Sequence, residues 1–235
     1  MTQPLVSVVM AVRNGERFLR AAIESVLAQQ WQPLEIVLVD GHSTDRTAEI
    51  AREYSAVRYI AQNDRGVAEA YNVGIAAAEG EFIAFLSHDD LWTPDKLSSQ
   101  MAYLIDHPEA RYVVGQVKFF LEPGYAIPPG FRPQLLEAEL VAYIMETLLA
   151  RRSVFARVGS FDQQLTSGED VDWFSRAKDQ KVVHGIIERV LVHKRVHDAN
   201  VSLTDSATNQ ILLKVLRQSI ARKRGAGENS HETRI

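Results

Sequence analysis

From Val6 to Leu86, short apolar runs alternate with segments whose apolar residues recur at helical spacing, and that alternation leaves few architectures open. Val6 to Val12 is apolar and β-branched, with Ser7 as its only polar member, and Arg13-Asn14-Gly15 ends the run. Phe18, Leu19, Ala22, Ile23, Val26 and Leu27 then follow the helical period. Glu35 to Val39 reads as a second buried strand, closed by Asp40-Gly41. Ser43, Thr44 and Asp45 offer capping side chains to a helix running to about Tyr54. Val57 to Ile60 predicts a third strand, and Val67, Ala70, Tyr71, Gly74, Ile75 and Ala78 mark one face of another helix. Phe82 to Leu86 is wholly apolar, as expected of a central strand. The pattern predicts an α/β fold: a mostly parallel sheet covered by helices on both faces. Ligands of such sheets bind beyond the carboxyl ends of the strands. Arg13 and Asn14, Asp40, and the run Ser87-His88-Asp89-Asp90 are therefore expected to converge on one edge.

The second half is less regular. Leu97, Met101, Leu104 and Ile105 predict a helix started near Pro94, and Tyr112 to Leu121 a strand. Pro123 to Pro133 holds four prolines and two glycines and reads as a loop. A helical stretch is expected from about Leu135 toward Arg151-Arg152, a polar turn from Phe161 to Glu169, and a helix from Asp170 to Ala177. Val182 to Val196 reads as one or two strands, and Ile211, Leu212, Val215, Leu216 and Ile220 as a last amphipathic helix. The expected organisation is a single domain over 1–224. A nucleotide-binding part covers about 1–115, an acceptor part about 116–204 and a C-terminal helix about 205–224; the polar segment 225–235 is expected to be disordered.

Bulk properties exclude several classes. Of 235 residues, 46% are hydrophobic, enough to fill one sizeable core. A net charge of −4 gives no general attraction for nucleic acid, so no nucleic-acid partner is expected. The absence of cysteine excludes disulfides and cysteine-ligated zinc and fits a reducing cytoplasm. No apolar run approaches the roughly 20 residues that span a bilayer. Met1 to Leu5 is too short for a signal peptide, so a cytoplasmic location is expected. Lys214, Arg217, Arg222, Lys223 and Arg224 make the last helix basic. Two readings stay open: favourable charge at a helix C-terminus, or weak peripheral docking to the inner face of an anionic membrane that holds a lipid-linked acceptor.

Three clusters carry candidate chemistry. Ser87-His88-Asp89-Asp90 follows the most apolar strand, and adjacent carboxylates there suit a divalent cation that also grips phosphate oxygens. The plainer reading is a cap for the next helix. Gly168-Glu169-Asp170-Val171-Asp172-Trp173 puts three carboxylates at a helix start, either as dipole-stabilised caps or as the seat of a general base. Arg195-Val196-His197 closes an alternating stretch, and His197 is either structural or a contact to metal or phosphate.

Taken in order, five segments resemble the family 2 glycosyltransferases: the first strand with Arg13-Asn14-Gly15; Val39-Asp40-Gly41-His42-Ser43-Thr44-Asp45-Arg46-Thr47; Asp64-Arg65-Gly66 with Ala70-Tyr71-Asn72-Val73-Gly74-Ile75; Phe85-Leu86-Ser87-His88-Asp89-Asp90-Leu91-Trp92; and Gly168-Glu169-Asp170. The resemblance runs from about Leu5 to Ser202. It implies a GT-A fold, a nucleotide-diphosphate sugar donor and inversion at the anomeric carbon. Carried over residue by residue, Val12, Arg13, Asn14, Asp40, Arg65, His88 and Asp89 would bind the nucleotide sugar. Asp89, with Asp90 and His197, would hold a manganese or magnesium ion. Asp170 would be the base, with Glu169 beside it. The acceptor class stays open among a glycan, a lipid-linked sugar and a small molecule, and polysaccharide biosynthesis is the expected setting. Two positions depart from the family pattern: Gly41 stands where a second acid often follows the Asp40 position, and Ser87 where the metal motif often begins with aspartate.

Rival readings have sequence tests. A sugar nucleotidyltransferase needs a glycine-rich basic loop after the first strand, where this chain has Arg13-Asn14-Gly15-Glu16-Arg17 with one glycine. A dinucleotide oxidoreductase needs Gly-x-Gly-x-x-Gly there, which is absent. A binding module without turnover is motivated by Ser87 and Gly41 and opposed by Glu169-Asp170.

Overall fold

The computed structural model describes residues 3–62, 66–165, 167–198, 200, 215, 217–220 and 222. In chain order the elements are β1 (Val6–Val12), α1 (Leu19–Leu27), β2 (Leu34–Asp40), α2 (Thr47–Arg52), β3 (Val57–Ala61), α3 (Gly66–Ala77), β4 (Phe82–Phe85), β5 (Leu91–Trp92), α4 (Lys96–Asp106), β6 (Tyr112–Leu121), β7 (Glu139–Val141), β8 (Leu149–Arg151), α5 (Ser153–Val158), α6 (Glu169–Asp179) and β9 (His184–Val196). Two short 3-10 turns, Pro133–Leu136 and Met145–Thr147, interrupt the stretch between β6 and β8.

Among the described residues the strands form one sheet in the order β3-β2-β1-β4-β8-β6-β9-β5, with β7 paired to β6. The first four are parallel, as their apolar runs require, and β1 and β4 lie inside the sheet with both neighbours bonded. β5, β7 and β8 run antiparallel to their partners, so the sheet is mixed in its second half. One apolar layer packs α1, α2 and α4 on one face of the sheet, through Leu19, Ile23, Ile50, Leu97 and Met101. The other face carries an aromatic-rich cluster of Tyr71, Phe85, Tyr112, Phe155, Phe161 and Trp173 under α3, α5 and α6.

The expected helix from Leu135 to Arg152 is not formed. Leu149 and Ala150 are fully buried in a strand between β4 and β6. A short apolar run does not reveal by periodicity whether it is strand or helix, and pairing on both sides decides for strand here. Val182 to Val196 resolves into one long strand, β9, paired in parallel to β6 with an irregular register near Val114 and Gln116. In the expected C-terminal helix, Val215, residues 217–220 and Arg222 are helical; the remainder of 205–224 and the tail 225–235 lie outside the described residues. No helix among the described residues is long and apolar enough to cross a membrane.

α3 can approach the sheet closely because Gly74 faces β1. A Cβ at Gly74 would stand 2.3 Å from Val9 Cγ1. Gly74→Ala is therefore expected to lower stability by about 1–3 kcal/mol through overpacking. Urea unfolding followed by far-UV circular dichroism checks this, and an unchanged midpoint would contradict the close α3–β1 contact.

Candidate active site

Two loops close the first edge of the site. The β1 loop and the β2 loop are joined by hydrogen bonds from side chains to main chain. Asn14 Oδ1 accepts from the Thr44 amide at 2.9 Å, and the Asn14 amide donates to Ser43 Oγ at 2.8 Å. The Gly15 amide donates to Thr47 Oγ1 at 2.8 Å and the Glu16 amide to Asp45 Oδ2 at 2.9 Å. Asn14 and His42 both hold positive φ, which small polar residues such as asparagine tolerate best. The Ser-Thr-Asp run thus serves mainly to tie the loops together. The N-cap of α2 is Arg46, which makes no side-chain capping bond, and not Ser43, Thr44 or Asp45 as expected; Asp45 accepts from the Thr47 amide from one position before it. Asp40 ends β2 with its carboxylate inside the loop: Oδ1 accepts from the Ser43 amide and hydroxyl, and Oδ2 from the Tyr59 hydroxyl at 2.7 Å. Arg13 and Asn14 are exposed at this edge, and Val12 lies buried beneath them. Arg65, expected to touch the donor, lies outside the described residues.

The loop after β4 carries the second group. The carboxylate of Asp89 is held on one oxygen, Oδ2, by His197 Nε2 at 3.1 Å and by Asn200 Nδ2 at 3.3 Å. Burial works to raise its pKa. The His197 hydrogen bond, with the charges of His88 and Lys194, outweighs that and holds the carboxyl well below the usual range. His88 packs its ring against Gly15, where an added Cβ would stand 3.0 Å from His88 Cδ2. The β4 loop therefore touches the β1 loop, as the strand-end rule requires.

Asp90 points the other way. Oδ2 accepts from Lys194 Nζ at 2.8 Å and Oδ1 from the Arg195 amide at 2.9 Å, so both oxygens have protein donors. Lys194 also reaches Glu146 Oε1 at 3.0 Å, and the same oxygen accepts from Ser87 Oγ at 2.6 Å. Burial opposes the ammonium, yet Asp90, Glu146 and Asp89 raise its pKa well above the ordinary lysine value. Arg195 fixes the loop from the same strand, donating from Nε to the Asp89 carbonyl at 2.8 Å and pairing with Glu122. Asp89 Oδ2 and His197 Nε2 are bonded to each other here, and only on parting would they offer one carboxylate oxygen and one imidazole nitrogen beyond the strand ends. That pair fits a magnesium or manganese ion, which takes few protein ligands and keeps phosphate oxygens and water. Among the described residues no three His, Asp or Glu side chains form a closed cation cage.

The third group begins α6. Gly168 holds a left-handed φ of 72° and turns the chain into the helix at Glu169. The loop before it is fixed by Asn72, whose amide nitrogen donates to the Phe161 carbonyl at 3.0 Å and whose oxygen accepts from the Phe161 amide at 2.9 Å. Burial, then the neighbouring Asp170 charge and, more weakly, Glu146, push Glu169 up to about 7. Burial and the Glu146 charge push Asp170 up to about 6, against the Val171 amide and Lys194. Both carboxyls feel the Glu146 charge, and Asp170 that of Lys194 as well, which couples the start of α6 electrostatically to the residues that hold the β4 loop. Asp172 has a different role. It is buried, receives Arg176 Nε at 2.8 Å, and lines a cavity of about 480 Å³ with Arg176 and Arg222 that none of the strand-end residues border. Arg222, one of the basic residues of the C-terminal segment, is turned inward to Asp179 at 2.9 Å.

Glu146, Lys194 and Asn200 join the site without having been singled out by the sequence, and Arg195, named only as part of the Arg195-Val196-His197 run, joins it without an expected role. The run His193-Lys194-Arg195 near the end of β9 was the available signal for two of them. Glu146 had none, since its turn follows no motif.

A mixed sheet, parallel through its first four strands and covered by helices, is the architecture of the GT-A glycosyltransferases. The solved structures that resemble it agree in fold. S. aureus TarS 1-349 in complex with UDP-GlcNAc has a TM-score of 0.75 at 18% identity, covering 92% of this chain and 66% of that one. The mannosyltransferase PcManGT from Pyrobaculum calidifontis, in complex with GDP-Man and Mn2+, has a TM-score of 0.72 at 19% identity, covering 94% and 65%. The chain thus spans just under two thirds of the length of these solved chains. The model of glycosyl transferase family 2 matches residues 7–160. An uncharacterized glycosyltransferase of Rickettsia typhi is 32% identical over 225 residues, covering 88% of this chain and 68% of the relative. This chain belongs to glycosyl transferase family 2, a family of transferase enzymes.

The placement of Asp172 gives a direct test. Asp172→Asn removes one charge of a buried ion pair and leaves Arg176 uncompensated, so it is expected to cost about 3 kcal/mol of stability. Thermal and urea unfolding check this. Unchanged stability would mean that the Arg176 pair does not hold α6 in place.

Proposed function

We propose that the protein transfers a sugar, with inversion, from a nucleotide-diphosphate sugar to an acceptor hydroxyl, with Asp89 and His197 holding a divalent cation and Asp170 acting as general base. The observation that carries the reading is the pairing of two differently tuned acidic groups. Asp89 is kept ionised by His197 at the strand edge, while Asp170 and Glu169 are raised toward neutrality at the start of α6. Enzymes that separate two such roles set the proton affinities of neighbouring carboxyls apart in this way. The complexes of TarS with UDP-GlcNAc and of PcManGT with GDP-Man and Mn2+ support a nucleotide-sugar donor and a metal, and leave the nucleotide open between uridine and guanosine. The Asp40 carboxylate is satisfied by Ser43 and Tyr59, so base recognition falls to the exposed edge around Arg13 and Asn14 rather than to Asp40 acting alone.

The mechanism follows from charge. Bound at Asp89 and His197, the cation would supply electrostatic stabilisation to the diphosphate as it leaves. Arg13 and Asn14, exposed beside the buried Val12, and His88 would line the donor. Asp170 would take the proton of the acceptor hydroxyl as it attacks from the face opposite the leaving group. Glu169 beside it would keep the local proton affinity high. Asp90 would act indirectly, as the counter-charge of Lys194. The acceptor would lie on the side of α6, as a glycan, a lipid-linked sugar or a small molecule.

Two outcomes are expected. Asp89→Ala should abolish metal-stimulated turnover of UDP- or GDP-sugars while the protein melts cooperatively. Full activity in that variant, or equal activity in excess chelator, would contradict the assignment. Asp170→Asn should cut transfer by roughly 10²-fold or more while leaving donor affinity nearly unchanged. Because the base must be unprotonated and its pKa is raised to about 6, the wild-type rate should fall as the pH drops through about 6 and level off above it. Normal transfer by Asp170→Asn, with loss of transfer in Asp172→Asn at unchanged fold, would move the base to Asp172.

A further inference from the structure

Glu146 is the buried carboxylate for which the transfer step has no direct use. It sits on the short turn Met145–Thr147, and α4 braces that turn from behind: Gln100 Nε2 donates to the Thr147 carbonyl at 2.7 Å, and Lys96 Nζ lies 3.5 Å from the Leu148 carbonyl. The Glu146 carbonyl accepts from Trp92 Nε1 at 3.3 Å, just past the β4 loop. Its side chain faces forward, where Oε1 takes both the Ser87 hydroxyl and the Lys194 ammonium. Ser87 is neutral and cannot balance the part-buried ammonium. Two carboxylates hold Lys194: Asp90 from inside the loop and Glu146 from outside it. Without the Glu146 charge Lys194 depends on Asp90 alone, and the Ser87 hydroxyl is left with an uncharged, weaker acceptor at best. The loop 87–90 would then be tied less firmly to the turn while keeping its tie to β9.

We propose that Glu146 is a positioning residue for sugar transfer: through Ser87 and Lys194 it holds the loop 87–90 in the register that presents Asp89 to the donor. The charge that the loop itself lacks at Ser87 is delivered from a turn 59 residues away in sequence. The kinetic part of the idea rests on the transfer reading, whereas the positional part does not.

The test uses the full chain with Glu146→Gln, Ser87→Asp and the double variant, which moves the carboxylate to the other side of the same hydrogen bond. Amide hydrogen exchange and turnover are followed together. In Glu146→Gln, exchange across residues 86–91 should rise roughly tenfold with the rest of the sheet unchanged. Its kcat should fall roughly tenfold or more, with the donor KM within about twofold of wild type. Ser87→Asp, which sets two carboxylates against each other, should be impaired as well. The double variant should recover protection and turnover toward wild type, which a merely structural glutamate would not allow. Wild-type exchange in Glu146→Gln, or a double variant no better than either single one, overturns the proposal. If the wild-type protein transfers no sugar, the functional reading fails, and the exchange comparison still decides the role of Glu146.

Discussion

The part-buried ammonium of Lys194, held between two carboxylates, is the constraint on which the site depends. A charge taken out of water is tolerated only when paired and hydrogen-bonded, and Lys194 meets that condition by drawing in Asp90 from the β4 loop and Glu146 from the turn before β8. One side chain of β9 thus fixes how three otherwise separate segments meet. The neighbouring Arg195 adds bonds to Asp90 and to the Asp89 carbonyl from the same strand. Because Lys194 consumes Asp90, Asp89 is left to face outward, with His197 and Asn200 from the end of β9 on its carboxylate. The division of labour between two adjacent aspartates is therefore set from β9.

On the opposite edge the constraint is main-chain satisfaction. The loops after β1 and β2 leave amide groups that no strand or helix can pair, and Asn14, Ser43, Asp45 and Thr47 supply the missing acceptors. Asp40 belongs to the same economy. Its carboxylate holds the turn and the Tyr59 hydroxyl. What such an edge presents outward is a partly polar rim.

The first half of the fold was legible because β1, β2 and β4 are largely buried on both faces, which forces apolar runs separated by helix-period segments. β1 and β6 begin and end where the runs do. The stretch from Leu135 to Arg152 was not legible, because Leu149 and Ala150 are a strand only by virtue of β4 and β6 on either side. At the site, Asp89, His197, Glu169 and Asp170 were readable as residue types in motifs. Which of Asp89 and Asp90 stays available was not, since the answer lies with Lys194, 104 residues beyond Asp90. Glu146 stood outside every motif, and only the fold brings it to Ser87.

On the proposed reading, Asp89 and His197 form the metal end of a nucleotide-sugar site. A crystal structure of the protein grown with manganese and UDP or GDP tests it most directly, through the anomalous signal of the metal. The expected result is a manganese peak at Asp89 and His197, beside the diphosphate, with the Asp90–Lys194 pair intact. Manganese and diphosphate bound elsewhere, with the Asp89–His197 hydrogen bond unbroken, would contradict it.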